Sequence, residues 1–169
     1  MRTLIISLLI LALLPVALSP VGVDWKMVVD VLYHEMKLNV FERNFDGVSH
    51  PSDSILIKRI SDLGLLGGNS NHCDYLVVEL RASEKQREEI RRLYDTQFVM
   101  SPEPHDATPD DRVCVQVLLN PSESESGIPR VFDNMLLHEQ EKWRATGWKV
   151  YAVYVFDMGH SARSDPRCH

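Results

Sequence analysis

The sequence predicts an α/β protein: a small sheet of three strands or slightly more, mixed or parallel, packed with helices in the order α-α-β-α-β-α-β. Three observations carry this reading. Apolar residues recur at helical spacing in four segments. Three other runs are short, continuous and β-prone: Tyr75-Leu76-Val77-Val78, residues 113–119 and residues 148–156 (WKVYAVYVF). Such runs suit strands buried on both faces. From residue 75 onward strands and helices alternate, as right-handed crossovers between strands require.

The elements follow in order. Asp24 can cap a helix reaching about residue 40, with Trp25, Val28, Val29, Leu32, Tyr33 and Met36 on one side. After a turn-rich break at residues 44–51, a second helix is expected over residues 52–64, carrying Leu56, Ile57, Ile60 and Leu63 and ending at Gly64. Residues 67–71 (GGNSN) read as a loop. Ser83 and Gln86 form a capping-box pattern before a heavily charged helix with a narrow apolar edge at Ile90, Leu93 and Tyr94. Residues 101–111 and 121–129 are acidic, Pro-containing loops. Between the second loop and the last strand lies a helix over residues 131–145, with Phe132, Met135, Leu136, Glu139 and Trp143 on one side and Gly147 as its stop.

The chain has 169 residues, 44% of them hydrophobic and 25% charged. These figures suit an ordinary folded domain with one core and exclude collagen-like and disordered classes. Its net charge of −6 argues against nucleic acid as a partner, because gripping phosphates needs a basic face. Residues 1–19 read as a secretory signal: Arg2, an apolar stretch over residues 3–14, and Ala17-Leu18-Ser19 as a small-x-small cleavage site. The expected organisation is a signal (1–19), a single domain (20–158) and a polar C-terminal tail (159–169), without a membrane span once the signal is removed. The expected location is outside the cell or in the lumen of the secretory pathway.

Three cysteines, Cys73, Cys114 and Cys168, allow one intramolecular disulfide and leave one thiol over. Cys73 and Cys114 both lie near strand beginnings and are neighbours if those strands pair. Cys168 on the tail could reach another chain, giving a disulfide-linked dimer.

Ligands of open α/β sheets meet the chain at the carboxyl ends of strands. There the sequence places Glu79, Asp157 and His160, a carboxylate and imidazole set able to hold a divalent metal or run acid–base chemistry. None of the motifs H-E-x-x-H, G-x-S-x-G, P-loop or G-x-G-x-x-G is present. No cofactor is expected, apart from that divalent metal if the set is a site.

Residues 112–158 carry one further pattern. Arg112-Val113-Cys114-Val115-Gln116-Val117 is followed by Asn120-Pro121-Ser122, then by a helix ending Trp143-Arg144-Ala145-Thr146-Gly147-Trp148-Lys149-Val150, then by residues 151–158. This block resembles a RAP domain, a family with a restriction-endonuclease-like fold. The resemblance implies that fold and an association with RNA. The family's metal-binding carboxylates are replaced here by Gln116-Val117-Leu118-Leu119-Asn120-Pro121, which argues against nuclease activity.

Three functions follow, in order. The first is a secreted, non-enzymatic protein that binds a protein partner, its acidic loops steering association with a basic one. The second is a metal-dependent hydrolase or nuclease-like enzyme using Glu79, Asp157 and His160. The third is a RAP-like RNA-binding protein.

Overall fold

The structure is a computed structural model that describes residues 24–66, 71–103, 111–120 and 130–169, with the backbone alone for residues 130–133. The expected signal and most of both acidic loops lie outside the described residues. The described elements are α1 (Trp25–Phe45), β1 (Ile55–Gly64), β2 (His72–Ser83), α2 (Arg87–Tyr94), β3 (Phe98–Met100), β4 (Arg112–Cys114), β5 (Gln116–Leu118), α3 (Arg130–Trp143) and β6 (Lys149–Ser161), with 3-10 turns at Arg144–Thr146 and Pro166–Cys168.

The protein is mixed α/β, as expected, but the sheet differs from the expected one. It has four strands in the order β1-β2-β6-β5, and β3 and β4 form a separate pair. Every pairing is antiparallel, so the mixed or parallel three-stranded sheet is corrected. Two long strands decide this: β2 (12 residues) and β6 (13 residues) pair along their whole length, from His72 opposite Ser161 to Ser83 opposite Lys149. Both carry unbroken apolar runs, residues 75–78 and 150–156, because the sheet is covered on both faces. On the first face Tyr75, Val77, Tyr151, Val153 and Val155 pack with Phe41 and Phe45 of α1 and Ile90 and Tyr94 of α2. On the second, Leu76, Val78, Leu80, Ala152 and Tyr154 pack with Leu136 of α3.

The expected second helix is β1. Leu56, Ile57, Ile60 and Leu63 have helical spacing, yet a register shift between Leu56 and Lys58 leaves Ile57 as the extra residue of a bulge. That bulge lets Ile57 and Ile60, three apart, both reach the second core face. Gly64 ends this strand with φ +148°, and a Cβ there would stand 2.9 Å from the Arg167 carbonyl, so only glycine fits the approach of the C-terminal segment.

Asp24 caps α1 by accepting from the Lys26 and Met27 amides, but the helix continues to Phe45. It packs by a face different from the one its apolar spacing suggests. Asp30, His34, Phe41 and Phe45 are buried, whereas Val29, Leu32 and Met36 are exposed. The reason is the C-terminal segment, which takes polar partners on α1: the Ser164 amide donates to Asp30, and Arg167 pairs with Glu35.

Residues 159–169, expected as a polar tail, complete β6 and then fold back against β1, β2 and α1. Asp165 and Cys168 are fully buried, and Cys168 is bonded to Cys73. Of the pairings the three cysteines left open, the one formed is therefore Cys73–Cys168 rather than Cys73–Cys114, and Cys114, exposed on β4, is the free thiol. The expected Ser83–Gln86 capping box is not formed: α2 starts at Arg87 behind Gln86 with no side-chain cap bond, and Ser83 ends β2, its Oγ accepting from the Lys85 amide while donating to Asp53. Gly147 stops the α3 segment at φ +78°. No helix among the described residues is long and apolar enough to cross a membrane.

Candidate functional site

Polar groups enter the first core face at two places, one at each end of the β2–β6 pair. Glu79 belongs to one end. Asp157 and His160 belong to the other.

Asp157 and His160 are three residues apart, and on an ideal strand they would point to opposite faces. A register shift between Cys73 and Tyr75 interrupts the pairing opposite, and Gly159 takes φ +86°, a backbone turn open to glycine. The irregular segment brings His160 Nε2 to 3.0 Å from Asp157 Oδ2. Ser101 Oγ donates to the same oxygen at 2.5 Å. Glu103 Oε2 lies 3.8 Å from His160 Nδ1, and Tyr33 Oη donates to Glu103 Oε1 at 2.7 Å. Tyr75 rests against the His160 ring and meets His34 Nδ1 at 2.6 Å. Burial raises the Tyr75 phenol far above its ordinary range, so it stays protonated.

Serine, carboxylate and imidazole are thus together, but in an order that does not make a nucleophile. Both Ser101 and His160 face the Asp157 carboxylate, whereas activation needs the imidazole to sit next to the hydroxyl and the carboxylate behind it. Asp157 is 3% exposed and His160 4%, so a substrate would have to open the core to reach them. Ser101 was not legible as a member of this set. Its only sequence signal is a Ser-Pro turn at the start of an acidic loop.

Glu79 stands four registers away along β2, opposite Val153, whereas Asp157 is opposite Tyr75. At about 3.4 Å per residue this is about 14 Å, with Val77 and Val155 between. The three residues read from the sequence as one set are therefore brought together only in part. Glu79 has its own partners: Arg81 donates to Oε2 at 2.5 Å, His50 Nε2 is 3.5 Å from that oxygen, and Arg59 is 3.8 Å from Oε1. His50 Nδ1 lies 2.9 Å from Tyr94 Oη, which in turn lies 3.3 Å from Tyr151 Oη. Arg81 also reaches Ser54 Oγ. Beside this network is an open cavity of about 430 Å³ lined by His50, Pro51, Ser52, Lys85, Glu89 and Arg92. His50 is the network member that faces it.

Burial, followed by the Arg81 charge, pushes the His50 imidazole below its ordinary 6.5, against the pull of Glu79 and with a smaller push from Arg59. Below about pH 6.5 the unfolded chain binds a proton at His50 that the folded chain resists, so stability falls as pH drops through that window. Urea midpoints should therefore decline between about pH 7.5 and pH 5.5, and His50→Gln should flatten that slope. Of the groups around the ring, Tyr94 is pushed up by burial and Lys85 by its hydrogen bond to Glu89, so neither changes charge in this range.

A third polar cluster joins the chain's C-terminal segment to α1 and β2. There Asp165 caps the 3-10 turn Pro166–Cys168 and holds Arg167 through both carboxylate oxygens. Burial alone would raise the Asp165 carboxyl, but Arg167, as hydrogen-bond donor and as charge, holds it below the ordinary carboxylate range.

No family model, curated protein or solved structure matches this chain.

Proposed function

We propose that the chain is a secreted, non-enzymatic α/β protein that binds a protein partner, and that the partner docks on the outer side of α1. The observation that carries this is an apolar stripe left uncovered on that helix. Val29, Leu32 and Met36 are 61%, 63% and 55% exposed and, with Trp25, follow the 4-3-4 spacing of a helix-packing seam. Isolated apolar residues on a surface need no explanation, whereas a contiguous helical stripe marks an interaction face.

The flank of the stripe indicates the partner's chemistry. Lys37 donates to the Pro102 carbonyl and Tyr33 to Glu103, and the Ser101 amide bonds the Asp111 carbonyl. The first end of the segment 101–111, whose sequence includes Glu103, Asp106, Asp110 and Asp111, is thus fastened to α1, and its last residue is tied back to the first. An amphipathic helix with an apolar face bordered by Lys and Arg fits that surface, and the net charge of −6 favours its approach. The Cys73–Cys168 disulfide suits the oxidising compartment of a secreted protein. The burial of Asp157, His160 and Glu79 favours binding over catalysis, since a catalytic set must meet its substrate.

Two synthetic helical peptides, one of Leu/Lys heptads and one of Leu/Glu heptads, test the reading by NMR titration. The basic peptide should shift the resonances of Val29, Leu32 and Met36, bind more weakly as salt rises, and lose at least tenfold in affinity against Leu32→Asp. Equal binding of the acidic peptide, or indifference to Leu32→Asp, would sink it.

A further inference from the structure

Four metal-ligating residues meet where the C-terminal segment is held between α1 and β2: His34, Cys73, Asp165 and Cys168. One ligand atom from each lies within 4.8 Å of every other, and all four residues have no exposed surface. Zinc–sulfur bonds of about 2.3 Å and zinc–nitrogen bonds of about 2.0 Å place tetrahedral ligands about 3.3 to 3.8 Å apart, so the cluster is close to that size already.

His34 supplies the independent sign of a ligand. Its Nδ1 is taken by Tyr75 Oη at 2.6 Å. Its Nε2 is buried without a well-formed hydrogen bond, while the Ala162 backbone and the Asp165 charge both act on the ring. An orphaned ring nitrogen in a core costs stability and calls for an explanation. Its position beside two sulfurs and a carboxylate offers one. The surroundings are also those of a metal site. Ligating histidines hold their second nitrogen to a fixed partner, which Tyr75 is. Ligating carboxylates are themselves hydrogen-bonded, and Arg167 donates to Asp165 Oδ1 from both its backbone amide and Nε, and to Oδ2 from its guanidinium. Oδ2 keeps a lone pair for a metal.

We propose that this cluster is a second state of the disulfide, a closed zinc site that forms when Cys73 and Cys168 are reduced. An external dithiol supplies two electrons and two protons, is itself oxidised to a disulfide, and leaves two thiols in place of the Cys73–Cys168 bond. Zn²⁺ then displaces the two thiol protons into solvent and is held by two thiolates, the neutral imidazole of His34 and the Asp165 carboxylate. The bound set carries one net negative charge, which Arg167 offsets. Two sulfurs, one nitrogen and one oxygen in a buried tetrahedron suit zinc above the harder cations. The fold would then have two alternative clamps for its C-terminal segment, one for oxidising surroundings and one for reducing ones.

The test uses the full chain carrying Cys114→Ser, reduced with a dithiol that is removed anaerobically before Co²⁺ is added as the spectroscopic probe. One equivalent of Co²⁺ should give a thiolate-to-cobalt charge-transfer band and strong tetrahedral d–d bands, both bleached by Zn²⁺. His34→Gln should weaken binding at least tenfold, and Tyr75→Phe by about 10–100-fold. The oxidised chain should give neither band. Circular dichroism recorded alongside should show native structure in the reduced chain, or its recovery on adding Zn²⁺. The proposal is overturned by absence of the charge-transfer band, by bands that His34→Gln leaves unchanged, by equal binding to the oxidised chain, or by a reduced chain that Zn²⁺ does not refold.

Discussion

Replacing Glu79 with alanine should lower the free energy of unfolding by about 3–5 kcal/mol, the cost of breaking a buried ion pair from one side. Glu79 is 5% exposed and faces Arg81, whose side chain is 12% exposed, with His50 and Arg59 close by. Without the carboxylate, the Arg81 guanidinium keeps Ser54 as its hydrogen-bond acceptor but has no opposite charge, in a place where water cannot replace it. Urea denaturation of Glu79→Ala reads this directly. Exchanging both partners, as Glu79→Leu with Arg81→Met, should recover most of the loss, because well-packed apolar residues often match a buried pair. A carboxylate that does not hold the fold can be removed without harm to it, so a fully stable Glu79→Ala protein would show that the ion pair with Arg81 is not what secures this end of the sheet.

The Cys73–Cys168 bond carries the second large effect. Its cysteines are 95 residues apart, and in the chain-entropy account a closed loop of about 100 residues contributes about 4.7 kcal/mol, within a usual range of about 2–5. Cys168→Ser should therefore destabilise by about 2–5 kcal/mol, while Cys114→Ser, on an exposed site, should stay within about 0.5 kcal/mol of the parent. Metal-free wild-type protein in reductant should unfold at the urea midpoint of Cys168→Ser, and reductant should leave that variant unmoved. A wild-type midpoint insensitive to reductant would show that the crosslink is not what fastens the C-terminal segment.

What the sequence reveals of this fold depends on how local the cause is. The Asp24 cap, the buried runs of β2 and β6, and the stop at Gly147 are set by neighbours within a few residues, and each is readable. β1 is not, because a single bulge at Ile57 makes a strand's apolar spacing look helical. The direction of pairing is also hidden, since an apolar run buried on both faces reads the same in parallel and antiparallel sheets. β4 and β5 fall on the run 113–119 read as one strand, but its division between two sheets at Val115 is hidden, and β3, with three residues, is too short for any period to show. The candidate site divides in the same way. Asp157 and His160 are near in sequence and stand together. Ser101 joins them across 56 positions, and the His34 contact with Tyr75 spans 41. Only chain closure in three dimensions brings such pairs together. The Cys168 partner was missed for the same reason, because a polar composition concealed a segment that is pinned at both ends.

The two long strands at the centre of the sheet do not form on the same timescale. β1 and β2 are joined by a short connection, and such hairpins close in about 1–10 μs. β6 must reach β2 from a region about seventy positions further on, and pairings of that kind slow folding. Until it arrives, β2 presents an unpaired apolar edge along its whole length, a template for any other strand nearby. The protein's vulnerability to self-association thus lies in the interval before β6 docks, and changes that delay β6 should expose the chain to clumping before they show as lost native stability.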